Sequence, residues 1–197
     1  MKRGGRWLVL LALVALSALI DAGPLRAAPA DCRGLAAEAE RHYAIPTGIL
    51  QSMAMVESGI GGVAWPWTIN AGGNPLLLRS REEALQVGNA ALHKFGDMVA
   101  VGCMQIHLHY HGHAFGNLAQ VLEPTNNVAY AARLLVSLRA THGSWVSAVE
   151  HYNASNAEAR TVYLCQVLRK RASLGFQAAT PGVCQRCGAQ MPGCAPP

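Results

Sequence analysis

Ile49-Leu50-Gln51-Ser52-Met53-Ala54-Met55-Val56-Glu57, followed by Ser58-Gly59, is the stretch on which the fold turns. Leu50, Met53, Ala54 and Glu57 recur at i, i+3, i+4 and i+7, which on a helix is one face. A carboxylate therefore ends an apolar stripe. It also occupies the last turn before Gly59, where the negative end of the helix dipole lies. Burial and dipole both disfavour the charged carboxylate, and both raise its pKa toward the range a general acid needs near neutral pH. Periodicity alone leaves a second reading open, in which Glu57 sits at a frayed helix end and simply reaches water.

Outward from this helix the chain reads as mainly helical. Residues 32–43 carry Leu35, Ala36, Ala39 and Tyr43 at helical spacing, and Pro46 is expected to open the helix that runs to about Ser58. Residues 59–79 hold five glycines and two prolines and read as a long loop, with room for one small hairpin within 63–79. Trp65 and Trp67 argue against disorder there; they either stack on a ligand or pin the loop to the core. Ser80-Arg81-Glu82-Glu83 has the form of a capping box and opens a helix to about His93. Further helices are expected near 103–110, 125–141, 144–152 and 157–172.

The first thirty residues combine a basic start, an apolar run from Trp7 to Ile20 and an Ala28-Pro29-Ala30 site. That pattern predicts a cleaved secretory signal peptide over 1–30. The apolar run is short for a membrane span, and Asp31 before Cys32 argues against a lipidated cysteine. The mature chain is then one domain over 31–178 with a Cys/Pro/Gly-rich tail over 179–197. Of the 16 basic and 11 acidic residues, Lys2, Arg3, Arg6, Arg26 and Asp21 lie in the leader, leaving 12 and 10. The net +2 gives no reason to expect a nucleic-acid partner. All six cysteines follow the leader and predict disulfides, with fifteen pairings open.

Four motifs in order carry a resemblance. They are Glu57-Ser58-Gly59 after an apolar helix, Gly102-Cys103-Met104-Gln105-Ile106, Glu123-Pro124-Thr125-Asn126-Asn127, and Ala148 to Tyr152-Asn153-Ala154. Together they resemble the soluble lytic transglycosylase family over residues 45–155. Trp65-Pro66-Trp67-Thr68-Ile69-Asn70 and Gly102-Cys103-Met104-Gln105 are similar to a subgroup associated with secretion, conjugation and flagellar machines.

The resemblance implies a lysozyme-like, goose-type single domain that cleaves the β-1,4 bond between N-acetylmuramic acid and N-acetylglucosamine in peptidoglycan. It implies Glu57 as the single acid/base, Tyr152 hydrogen-bonded to it, and 1,6-anhydromuramoyl products. Ser58 would support substrate or loop. Met104, Gln105, His107 and Asn153 would line or contact the substrate cleft, and Asn127 would hold structure. His107 stands where the family commonly has Asn. No cofactor is implied, and the partners are glycan strands and, by the subgroup, an envelope machine. Glu150 is the one rival carboxylate. The alternatives are a goose-type lysozyme that hydrolyses the same bond and a non-catalytic glycan-binding scaffold.

Two side signals remain. His107, His109, His111 and His113 alternate, which on a helix gives two i,i+4 pairs, but a catalytic zinc site needs three placed ligands and no metal is expected. Cys184-x-x-Cys187 lacks a thioredoxin-like pattern around it. The pairing expected is Cys32 with Cys103, Cys165 with one tail cysteine, and the other two tail cysteines with each other.

Overall fold

The computed structural model describes residues 31–153, 156–177 and 180–188. The expected leader lies outside them. The described chain is mainly helical with small antiparallel sheets.

Helix α1 (Cys32–His42) starts on Asp31, whose side chain accepts from Arg33 N–H. It packs on α2 (Ile49–Glu57), which also packs against α8 (Ala157–Ser173). Every residue of α2 from Ile49 to Met55 is buried. The single apolar stripe expected from periodicity is thus only part of the pattern, because α2 is a central helix covered on several sides. It begins at Ile49 rather than Pro46. Its N-terminal amides are met from α1: the buried Glu40 carboxylate accepts from Gly48 N (2.8 Å), Gln51 N (3.0 Å) and Gln51 Nε2 (2.7 Å). A carboxylate there satisfies orphan donors and suits the positive end of the helix dipole.

The segment expected as a long loop with room for one small hairpin within 63–79 holds that hairpin and a second one before it. β1 (Gly59–Ile60) pairs with β2 (Val63–Ala64), and the expected hairpin is β3 (Thr68–Ala71) paired with β4 (Asn74–Leu77). The glycines that read as loop signals sit in the tight turns of these hairpins, at Gly61-Gly62 and Gly72-Gly73 with positive φ. Trp65 Nε1 donates to Leu78 O at 2.7 Å, so this tryptophan pins the segment, and Trp67 packs against the core.

Helix α3 (Arg81–Phe95) follows, with Ser80 accepting from Glu83 N–H as the capping box predicts. Then come β5 (Val99–Val101) and β6 (Ile106–His107), which complete an antiparallel sheet of order β4-β3-β5-β6. The helix expected over 103–110 is therefore corrected to a turn, β6 and the short α4 (Leu108–His111). β-Pairing with β5 overrides local helical spacing. Next come α5 (Leu118–Leu122), α6 (Pro124–His142) and α7 (Trp145–Tyr152). In the tail, α9 (Pro181–Cys187) packs back on α8, and Val183 joins the buried core.

Cys32 pairs with Cys103, and Cys165 with Cys187, a tail cysteine, as expected. Cys184 is also disulfide-bonded. The expected pairing of the last two tail cysteines involves Cys194, outside the described residues. These bonds suggest an oxidising, extracytoplasmic compartment. Among the described residues no helix is long and apolar enough to cross a membrane.

Candidate active site

The period of the sheet builds one wall of a cleft. Ile69, Val101 and Ile106 pair across β3, β5 and β6 and are buried in the core. The alternate row, Pro75, Asn70, Ala100 and His107, is in cross-strand register and faces the other way. All four line a cleft of about 800 Å³. Met98, Gln105, Tyr110, His111, Leu134, His151, Tyr152 and Asn153 line it as well, with Glu57. Glu57 is the one carboxylate among the described residues that line it.

Glu57 reaches the cleft because α2 ends there. Gly59 permits the sharp exit: a Cβ on it would lie 2.1 Å from Met55 O. Ser58 is buried, its hydroxyl 2.8 Å from Cys103 O and 3.1 Å from Ala54 O. It ties α2 to the 102–105 turn and serves the loop rather than the cleft.

Burial raises the Glu57 pKa from its ordinary 4.5 to about 7. Hydrogen bonds from Tyr163 and Asn153 oppose that rise by favouring the carboxylate. The Tyr163 hydroxyl donates to Glu57 Oε1 at 2.6 Å. Burial and the nearby Glu57 charge push the phenols of Tyr152 and Tyr163 well above 10, so both stay donors. A carboxyl held in this balance can give a proton and take one back near neutral pH.

The expected hydrogen bond from Tyr152 to Glu57 is not the one formed. Tyr152 donates to Met104 O at 3.0 Å, and its ring stacks with Tyr163 at 6.4 Å between centroids. Tyr163, from α8, has the role instead. Its signal was a hydroxyl on the apolar face of the expected helix 157–172, beside Leu164 and Val167, where it needs a buried partner. Met104 is also corrected: it is fully buried and absent from the cleft lining, because the 102–105 turn directs it into the core.

That turn is held by Asn127 of α6, as expected of a structural residue. Its Oδ1 accepts from Met104 N (2.8 Å), and its Nδ2 donates to Val101 O (3.0 Å) and Val121 O (2.9 Å). Gly102, at φ +81°, lies against it: a Cβ would fall 2.5 Å from Asn127 Nδ2. Gln105 adopts φ +46°, a left-handed conformation rare outside glycine. Its Nε2 donates to Thr68 Oγ1 (2.9 Å) and Gly102 O (3.1 Å), which fixes it in the cleft.

Burial first, then neighbouring histidines, lowers the pKa of His107 and of His111, so both imidazoles face the cleft uncharged at neutral pH. Tyr110 is 62% exposed at the cleft and was not singled out from sequence. His109 instead pairs with Asp97 at the surface, 3.2 Å away. Glu150, the rival carboxylate, is engaged elsewhere by Arg186 at 2.6 Å. No family model, curated protein or solved structure matches the chain.

Proposed function

We propose that the chain is a lytic transglycosylase of peptidoglycan with a lysozyme-like fold, exported to the periplasm by its first thirty residues. The observation that carries this reading is Glu57: a carboxyl raised to about 7, alone of its kind among the described residues lining the cleft. Most glycosidases need two carboxyl groups, one of them to activate water or to attack the sugar. A lone carboxyl suits a reaction whose nucleophile belongs to the substrate. The four ordered motifs support the same reading.

In the proposed reaction, protonated Glu57 gives its proton to the oxygen bridging N-acetylmuramic acid and N-acetylglucosamine. The muramoyl C1–O bond breaks, and the N-acetylglucosamine side leaves as an alcohol. The carboxylate then takes the proton of the muramoyl 6-hydroxyl, whose oxygen closes on C1 as a 1,6-anhydro ring. No water is consumed, and Glu57 ends protonated as it began. Tyr163 and Asn153 stabilise the carboxylate half of the cycle. Gln105 and His107 would contact the glycan, and Tyr110 offers a ring to a sugar face. Components of an envelope secretion, conjugation or flagellar machine are the further partners suggested by the subgroup resemblance.

The test is digestion of purified peptidoglycan followed by mass spectrometry of the muropeptides. Products one water lighter than hydrolysis products are expected, and Glu57→Gln should lower the rate at least about a hundredfold. Reducing ends instead would make the protein a hydrolase. Glycan binding without cleavage would make it a scaffold.

A further inference from the structure

Two side chains act on Glu57 from different parts of the fold: the Tyr163 hydroxyl donates to Oε1 at 2.6 Å, and Asn153 stabilises the carboxylate. Asn153 directly follows α7, and Tyr163 lies in α8. A side-chain link joins those helices close by. Arg160 Nη1 is 2.9 Å from His151 Nε2, and His151 Nδ1 is 2.8 Å from Ser147 O. A carbonyl oxygen only accepts, so Nδ1 carries a proton. A guanidinium only donates, so Nε2 is the lone pair. The two partners together select the neutral imidazole. Arg160 stands three residues before Tyr163 and His151 two before Asn153. The link thus spans α7 and α8 within one turn of both groups that hold Glu57.

We propose that Arg160 and His151 are a positioning pair, whose bond across α7 and α8 keeps Tyr163 and Asn153 on Glu57. The inference rests on reading Glu57 as the acid/base. His151 meets His142 from α6, stacked at 3.6 Å and 10°, and Arg160 from α8. On its own helix the neighbouring Glu150 is turned to Arg186. Without the Arg160–His151 bond, α7 and α8 keep their packing and the more distant brace through α9, where Arg186 meets Glu150 and Cys187 joins Cys165.

Three variants test this. Arg160→Met keeps a long unbranched stem without donors. His151→Ala removes the acceptor. His151→Gln keeps an amide oxygen for Arg160 and cannot be protonated. Arg160→Met, outside the cleft lining, should lower kcat about tenfold while KM stays within about twofold, as expected when only reacting-group geometry is disturbed, and His151→Ala should lower kcat as much. His151→Gln should recover most of kcat.

An independent readout is the Tyr163 hydroxyl proton, followed by NMR in the unliganded protein. At a fixed pH above 7, with Glu57 ionised, it should weaken in Arg160→Met and His151→Ala and persist in His151→Gln. A folded Arg160→Met with native kcat, a His151→Gln as impaired as His151→Ala, or a change confined to KM would overturn the proposal. If the native protein makes no anhydro products, the functional reading fails, and the hydroxyl resonance still decides the positioning role.

Discussion

At the scale of the residue, Glu57 is set by two opposed influences, and each can be removed separately. Tyr163→Phe deletes a bond to the carboxylate, so the pKa should rise further above 7 and the alkaline limb of activity should move up with it. The rate near neutrality should fall about tenfold, the lower range for one lost charge-assisted bond. An unmoved alkaline limb would show that the 2.6 Å contact has no influence on the proton. Glu57 also has a stability sign. Its folded pKa of about 7 exceeds the ordinary 4.5, so the folded chain keeps a proton that the unfolded chain releases in between. The contribution is present below pH 4.5 and is lost as the pH rises through 7. Glu57→Gln should therefore be more stable than the native protein at alkaline pH, by on the order of 2–3 kcal/mol, and equal to it in acid. Urea unfolding on the two sides of the window checks this, and equal stability throughout would refute it.

At the scale of the element, the 102–105 turn is where sheet, α6 and cleft meet. Its register depends on one buried amide with three satisfied bonds. Asn127→Ala would leave Met104 N and two carbonyls without that partner. The expected loss is about 3–5 kcal/mol, since each buried group left unsatisfied costs about 1–3 kcal/mol. Denaturant midpoints measure it, and a loss under about 1 kcal/mol would mean that the turn holds itself. Activity of the folded fraction should fall as well, because the same turn places Gln105.

At the scale of the whole molecule, the long-range tie is Cys32–Cys103, which joins α1 to that same turn across 71 residues. Closing a loop of this length removes unfolded-state entropy worth about 4 kcal/mol. The double replacement Cys32→Ala/Cys103→Ala should lower unfolding free energy by about that amount. Chemical denaturation of the two proteins is the measurement, and near-equal stability would show that packing alone holds α1 to the turn. Cys165–Cys187 acts on a shorter loop and pins α9 to α8, while Arg186 of α9 meets Glu150 of α7. The tail residues thus brace the two helices that reach Glu57.

Some of this was written in local order along the chain. The apolar spacing of Leu50, Met53 and Ala54 located α2 and placed Glu57 at its end. Ser80 with Glu83 announced α3, and the cysteines announced disulfides. Such signals need only neighbours within one or two turns, and so they are legible without the fold. One small hairpin within 63–79 was legible, and it is β3–β4, but β1, β2, β5 and β6 were not, because a pair of two or three residues has too short a period to distinguish from a loop, and β5 lies about thirty residues from its partner β3. Nor was the choice of Tyr163 over Tyr152, or the burial of Met104. Each depends on which helix lands beside which, and that is decided by packing in three dimensions rather than by spacing along the chain.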